Sequence, residues 1–270
     1  MTDTPRSPDI VFVHGAWVGP RCWDTMAAHY EKEGLTSIAP TWPEDERPYE
    51  ALRAEPSPAL ARVGVQEIAD HYERIIRALP RPPLLVGHSF GGLIVQILLS
   101  RGLGSAGVAI HSAPPRGILP TPGAVWASLG VLTSWLGWRR VLRISRAAFV
   151  HGFVHQLPEA EQQRAYDEQV IPTPGRPFFQ AAFAPFIRAT AVDFGKRDRP
   201  PLLLTSGATD RTVPAGLNRA NHRAYARSGA VTDLLELPGR SHWVIAEPGW
   251  EELADRSLAW AQKHGAIRTR

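Results

Sequence analysis

The sequence is poor in cysteine and lysine and has no long apolar run. Cys22 is the single cysteine among 270 residues, so no internal disulfide can form, which is typical of a protein kept in a reducing, cytoplasmic location. No run of 18 apolar residues is present, and residues 1–8 lack the apolar stretch of a signal peptide. We therefore expect a cytoplasmic protein without stable membrane insertion.

Positive charge is carried almost entirely by arginine. Only three of the 30 basic residues are lysines, and the formal net charge is +4. The arginines are scattered among acidic residues, and neither zinc-ligand spacing nor a nucleotide- or RNA-binding motif is present, so no nucleic-acid partner is expected. One cluster has helical spacing: Arg139, Arg140, Arg143 and Arg146. It is interpreted as the solvated face of a helix, as a site for an anionic part of a substrate, or as a membrane-facing surface.

The length and the hydrophobic content of 44% suit one large domain, or one domain with an insertion. Apolar strand-like runs alternate with amphipathic helical patterns up to residue 111, which predicts a parallel sheet with right-handed crossovers. The alternation stops over residues 112–200 and resumes at 201. We therefore predict an α/β core formed by residues 1–111 and 201–270, with a helical insertion at 112–200.

A G-x-S-x-G pattern occupies residues 87–91, and Gly92 follows it. The apolar run 84–86 before it predicts a buried strand, and the apolar run 93–99 after it predicts a buried helix. A strand that turns into a helix so abruptly forces the central residue, Ser89, into strained backbone angles and leaves its side chain clear of the sheet. The helix also directs its free N–H groups towards any negative charge formed at that point.

A serine hydroxyl needs a base to act as a nucleophile, and the base needs an orienting acid. Such partners follow later strands of the sheet, the acid first and the histidine last. Asp210 follows the apolar run 202–206, and His242 lies in a turn-rich loop after the run 231–237. Asp210 has a second interpretation as a turn residue or helix cap. The order of the three residues predicts a catalytic triad of Ser89, Asp210 and His242.

Other carboxylates are less suitable as the acid. Residues 111–113, which follow the strand-like run 106–110, include no carboxylate. Asp233 and Glu236 lie inside the last predicted strand, where they point away from a loop site. Asp210 is therefore the predicted acid.

Acyl transfer also needs backbone donors for the oxyanion. One is predicted to be the N–H of Phe90, next to the nucleophile, and the other comes from the loop after the first strand. Ala16 is the first choice in that loop and Trp17 the second. His14 is interpreted as a structural residue that holds the loop.

Residues 14–17 (His-Gly-Ala-Trp), the pair Cys22-Trp23 and residues 87–92 together are similar to the methylesterase and hydroxynitrile lyase branch of the α/β-hydrolase superfamily. The chain departs from the lyases of that branch at Trp243, where they carry a lysine, and this argues against cyanohydrin chemistry. The resemblance covers most of the chain outside residues 112–200.

The resemblance implies an α/β-hydrolase fold: a mostly parallel, eight-stranded sheet flanked by helices, with a helical cap inserted after strand six. It also implies that no cofactor or metal is required. The family's nucleophile, acid and base correspond to Ser89, Asp210 and His242.

Together these features predict a serine hydrolase that cleaves a small-to-medium apolar ester, thioester or lactone through an acyl-enzyme on Ser89. The partner is then a small ester-like molecule, and the pocket candidates are Trp17, His88 and Trp243. Aromatic residues of the insertion form either its own core or an apolar pocket: Trp126, Trp135, Trp138, Phe149, Phe153, Phe178, Phe179, Phe183 and Phe186. The alternatives are a cofactor-free perhydrolase of the haloperoxidase type, a lyase, or a ligand-binding protein without catalysis. A serine nucleophile argues against epoxide hydrolase and dehalogenase chemistry.

Overall fold

The computed structural model describes residues 7–118 and 134–267. The strands of this part of the chain are β1 (Ile10–Val13), β2 (Ser37–Ile38), β3 (Leu84–His88), β4 (Ala106–Ile110), β5 (Val141–Leu142), β6 (Thr173–Pro174), β7 (Leu202–Gly207) and β8 (Thr232–Leu237). Six of them form a fully parallel main sheet in the order β2-β1-β3-β4-β7-β8. Every residue of β1, β3, β4 and β7 is buried, as expected for parallel strands covered by helices on both faces.

The helices of the described residues are α1 (Asp24–Lys32), α2 (Tyr49–Ala54), α3 (Val65–Arg77), α4 (Phe90–Ser100), α5 (Arg146–Phe149), α6 (Glu159–Gln169), α7 (Arg176–Ala182), α8 (Ala215–Ala224) and α9 (Trp250–Lys263). Residues 90–99 of α4 are all buried, so this helix belongs to the core. By contrast, α3 buries one apolar stripe and exposes its charged residues. None of the helices in these two segments combines the length and the hydropathy that a membrane span requires.

The sheet brings the candidate site together because its strands are parallel. Gly87 pairs with Val13 on one side and with Ala109 on the other, so the carboxyl ends of neighbouring strands lie level. Four polar residues follow β3, β4, β7 and β8 at this edge: Ser89, His111, Asp210 and His242.

The predicted parallel α/β architecture is confirmed. In the described residues the main sheet has six strands where the resemblance implies eight. The insertion accordingly follows the fourth strand of the main sheet.

The segment between β4 and β7 is not purely helical. Besides α5, α6 and α7 it contains a short antiparallel ribbon in which Val141 of β5 pairs with Pro174 of β6. Two-residue strands are too short to show an alternating pattern, which is why the sequence did not reveal them. Phe149 and Phe153 of this segment join the main hydrophobic core. The assignment of residues 112–200 as a separate cap unit stays a prediction, and Trp126 lies outside the described residues.

The four arginines 139, 140, 143 and 146 do not lie on one helix face. The interpretation of this cluster as the solvated face of a helix is therefore wrong. Arg139 ends a short 3₁₀ helix, Arg143 follows β5, and Arg146 opens α5. The ribbon strand β5 interrupts the helical spacing that the sequence suggests.

Candidate active site

The turn between β3 and α4 has the strained conformation that its sequence predicts. Ser89 has φ 56° and ψ −118°, a region that side-chain-bearing residues rarely adopt. A Cβ on Gly87 would lie 2.2 Å from the carbonyl oxygen of Gly91, and one on Gly91 would lie 1.9 Å from that of Val13. Both positions therefore require glycine, because the backbone passes too close for any side chain.

Two backbone N–H groups lie beside this turn. Phe90 is the first residue of α4, so its N–H has no acceptor within the helix. The loop after β1 comes close, since a Cβ on Gly15 would lie 3.0 Å from Ser89 Cβ. Within the described residues the N–H of Ala16 has no hydrogen-bond partner. The assignment of these two groups as oxyanion donors stays a prediction.

Trp17, the second choice for an oxyanion donor, uses its N–H elsewhere. This group donates to Thr173 Oγ1 at 3.4 Å. The geometry of the loop thus favours Ala16 over Trp17.

His14 fixes the loop from below. Its Nδ1 lies 2.9 Å from the Gly15 carbonyl oxygen, and its Nε2 lies 3.2 Å from the Trp42 backbone nitrogen. Because Trp42 N–H must donate, Nε2 is the acceptor and Nδ1 carries the proton. Burial lowers the pKa of His14 to about 4, so the imidazole is neutral. The structural role expected for His14 agrees with these contacts.

The predicted acid and the predicted base are joined by a direct hydrogen bond. His242 Nδ1 lies 2.7 Å from Asp210 Oδ2. The other carboxylate oxygen accepts the backbone N–H groups of Thr212 and Val213 at 2.8 and 2.7 Å. Burial alone would raise the pKa of Asp210, but the charge of His242 and hydrogen bonds from His111 and His242 outweigh it and hold the pKa below its usual range. Asp210 is therefore an ionised acceptor aimed at His242.

The reactive nitrogen of the base is sheltered. His242 Nε2 is buried and has no hydrogen-bond partner in the described part of the chain, and the Phe153 ring lies edge-on at 4.8 Å between centroids. A hydrogen bond between Ser89 Oγ and His242 Nε2 is thus not formed in this structure. Such bonds are often loose without substrate and tighten when it binds.

A cavity of about 270 Å³ opens beside Ser89. Its walls are mostly apolar: Ala16, Trp17, Phe90, Ala113, Pro114, Pro115, Ile118, Phe153, Phe178, Ala181, Ala182, Ala184, Val213 and Leu217, with Thr212 and Ser89 as its side-chain hydroxyls. Trp17 lines it as predicted. Trp243 does not, because it is buried with its ring edge-on to Phe149 at 5.8 Å.

The sequence matches the model of the alpha/beta hydrolase family over residues 10–256. This chain belongs to the alpha/beta hydrolase family. No curated protein sequence matches it.

Solved structures show the same fold at low identity. A monoacylglycerol lipase from Paleococcus ferrophilus is 20% identical, covers 96% of both chains and superimposes with a TM-score of 0.67. A methylesterase from Arabidopsis is 16% identical over 94% of this chain and 98% of its own, with a TM-score of 0.67. A protein described as a candidate non-heme bromoperoxidase from Mycobacterium tuberculosis is 17% identical over 97% of this chain and 94% of its own, with a TM-score of 0.70.

His88 does not line the cavity of this alpha/beta hydrolase, although it was a pocket candidate. It is fully buried, its Nε2 donates to the His242 carbonyl oxygen at 2.8 Å, and the two rings lie 4.6 Å apart. Burial, with the charges of His242 and His111, holds the pKa of His88 well below its ordinary value. A neutral His88 therefore supports the loop that carries the base.

Sequence reasoning missed His111. This residue directly follows β4 with a φ of 43°, and its Nδ1 lies 3.0 Å from Asp210 Oδ2, the oxygen that also binds His242. Its position directly after a strand could have indicated this contact, because β4 pairs with β7 in parallel. Residues that follow adjacent parallel strands lie close together. The acid of this site is thus shared by two buried imidazoles.

The donor atoms of His111, Asp210 and His242 all lie within 4.8 Å of one another, a spacing that a metal ion could bridge. However, both Nδ1 atoms already face the same carboxylate oxygen, and the other oxygen accepts two backbone N–H groups. The set is better suited to orienting the base of an alpha/beta hydrolase than to holding a metal.

Proposed function

We propose that this alpha/beta hydrolase is a serine carboxyl-ester hydrolase that works through an acyl-enzyme on Ser89. The observation that carries the proposal is the placement of a strained serine on the wall of an apolar cavity, at the sheet edge where Asp210 and His242 form a buried hydrogen-bonded pair. Backbone strain at Ser89 and a buried carboxylate–imidazole pair both cost folding free energy, and both are typical of active sites.

In the first step the Ser89 hydroxyl attacks the substrate carbonyl while His242 Nε2 takes its proton. Asp210 holds the tautomer in which Nδ1 carries hydrogen and stabilises the imidazolium that forms. The N–H groups of Ala16 and Phe90 bind the oxyanion. Loss of one such donor typically costs about 3 to 4 kcal/mol of transition-state stabilisation.

The tetrahedral intermediate then collapses, His242 gives its proton to the leaving alcohol or thiol, and the acyl group stays on Ser89. Water completes the cycle by the same steps, with His242 as base and then as acid. The cavity volume and its apolar walls favour small-to-medium apolar esters, thioesters or lactones.

The cytoplasmic location expected from the single cysteine stays a prediction.

Labelling with a fluorophosphonate probe tests the proposal. Wild-type protein should be labelled, and Ser89→Ala should not. Ser206→Ala is the matched control, because that hydroxyl is buried and has no partner within the described residues, so its removal should leave labelling intact. Absence of label on the wild-type protein would overturn the proposal.

Substrate class is then resolved with p-nitrophenyl esters of increasing acyl length, an acyl thioester and a lactone. Hydrolysis that falls sharply beyond medium chains would agree with the cavity volume. Turnover only with hydrogen peroxide and acetate would replace the esterase proposal with the perhydrolase alternative, for which the bromoperoxidase-like neighbour gives a precedent of fold.

A further inference from the structure

The inserted segment exposes large apolar side chains that the core would normally bury. Among the described residues, six large hydrophobic side chains are exposed, and five of them belong to this segment. We call these five the aromatic patch: Trp135, Leu136, Trp138, Phe183 and Phe186. Trp135 and Phe186 are 82% and 85% exposed. Single exposed apolar residues are common, but such a concentration indicates an interaction surface.

Contacts through α7 connect the two halves of the patch. The Trp138 ring lies edge-on to Phe179, with 5.6 Å between centroids. Phe183 N–H donates to the Phe179 carbonyl at 2.9 Å, so Phe183 is one helical turn further along, and Phe186 N–H donates to the Phe183 carbonyl. Gly175 N–H, bonded to the Arg140 carbonyl, ties the first half to the start of α7.

The stretches that carry the patch are rich in arginine, and carboxylates pair with only two of these arginines: Glu159 with Arg146 and Glu67 with Arg176. Residues 134–158 and 170–192 contain six arginines and neither aspartate nor glutamate. Four of these arginines, Arg139, Arg140, Arg143 and Arg188, are exposed and have no carboxylate partner in the described part of the chain, although Arg143 donates to the Arg53 carbonyl. Unpaired arginines beside exposed aromatic rings complement a binding partner whose outer layer is negatively charged and whose inner layer is apolar.

The same helix that joins the patch also forms part of the cavity wall. Phe178, Ala181 and Ala182 of α7 line the cavity beside Ser89, whereas Phe183, just beyond the end of α7, is exposed. A surface bound by the aromatic patch would therefore be separated from the cavity beside Ser89 by α7 alone.

We propose that the aromatic patch binds the surface of an anionic phospholipid bilayer. Tryptophan and phenylalanine enter the boundary between headgroups and acyl chains, and the arginines contact the phosphates while their stems cover apolar surface. The chain then lies on the membrane without crossing it. This interaction goes beyond the proposed function and does not depend on catalysis.

Co-sedimentation with vesicles tests the proposal without any substrate. Wild-type protein should sediment with phosphatidylcholine vesicles that contain about 30% phosphatidylglycerol, and less with phosphatidylcholine alone or at high salt. Arg139→Gln with Arg140→Gln should lower partitioning about 30-fold, because each basic side chain near an anionic surface contributes a factor of about five. Trp135→Ser with Phe186→Ser should lower partitioning to both kinds of vesicle.

Two matched controls use exposed residues outside the patch. Val231→Ser removes an exposed apolar side chain, and Arg227→Gln removes an exposed arginine; neither should change partitioning. Circular dichroism and the melting temperature verify that every variant is folded. Wild-type protein that fails to sediment, or patch variants that sediment as the wild type does, would overturn the proposal. A dimer that Trp135→Ser with Phe186→Ser disrupts, without vesicle binding, would assign the patch to a second copy instead and also overturn it.

Discussion

The carboxyl edge of the main sheet and the inserted segment solve opposite physical problems. At the sheet edge the Asp210 carboxylate is buried and held by two imidazoles and two backbone N–H groups. In the insertion, the aromatic patch and Arg139, Arg140 and Arg188 face water. Chemistry that needs fixed distances lies where the backbone is fixed by strand pairing, whereas adaptable contacts lie on the segment that the sheet does not constrain.

The sharpest contrast is between two carboxylates at neighbouring strands. Asp210→Asn should lower kcat about 10⁴-fold with the fold intact, because the amide no longer fixes the His242 tautomer. The matched control is Asp233→Asn on β8, whose carboxylate is solvent-exposed and binds Trp260 Nε1 at 2.7 Å. Ester turnover measured on both variants should fall only for Asp210→Asn. Equal losses in both variants would contradict the role of Asp210 in orienting His242.

Backbone packing at the turn is the next largest effect. Gly91→Ala should lower the free energy of unfolding by about 3 kcal/mol or more, since the new Cβ would overlap the Val13 carbonyl. Gly216→Ala on α8 is the control: its Cβ meets nothing closer than 4.0 Å, and alanine favours a helix. Urea unfolding compares the two, and a tolerated Gly91→Ala would contradict the close approach of 1.9 Å between that Cβ and the Val13 carbonyl oxygen.

Acid should loosen the loop that His14 holds. The pKa of His14 is about 4 in the fold and about 6.5 in the unfolded chain, so only the unfolded chain takes up a proton as the pH falls between these values. This stabilisation, about 3 kcal/mol, is complete above pH 6.5 and is lost as the pH falls towards 4. Urea unfolding at pH 7 and 4.5 should show that the free energy of unfolding falls less for His14→Gln than for the wild-type protein. An equal fall in both proteins would contradict the role assigned to His14.

His111 should act as a positioning residue for Asp210. His111→Leu should lower kcat about tenfold with KM unchanged, because leucine cannot replace the imidazole that lies 3.0 Å from the Asp210 carboxylate, and a polar contact to a charged group contributes about 1.5 kcal/mol. His111→Asn retains an N–H donor and should restore most of the rate. A purely structural role would instead lower the melting temperature of both variants and leave kcat per folded molecule unaltered.

The insertion itself should tolerate changes that the sheet edge does not. Trp135→Ser should alter the free energy of unfolding by no more than about 0.5 kcal/mol, as for other exposed positions. Phe149→Ala is the control in the same segment, because its fully buried ring should make the loss about 3 to 5 kcal/mol. Thermal unfolding distinguishes them, and a large loss for Trp135 would mean that it packs against something.

Sequence patterns predicted the strands, the glycine turn and the chain order of serine, acid and histidine. Periodicity and glycine spacing are local properties, so they can be read without coordinates. The patterns missed the β5–β6 ribbon and suggested one helix face for arginines that the ribbon separates. They also assigned His88 and Trp243 to the pocket, because neighbours of a site in sequence need not face it in space.

What the sequence alone determined is the turn at Ser89, since only glycine fits where Gly87 and Gly91 lie, and the loops in which Asp210 and His242 occur. Only the tertiary structure decided that His111 contacts Asp210 and that His88 contacts the loop of His242. It also decided that, among the described residues, the N–H of Trp17 has a hydrogen-bond partner while that of Ala16 has none. The physical reason is that these relations depend on which strands pair side by side, and pairing across some 100 residues of chain leaves no local pattern.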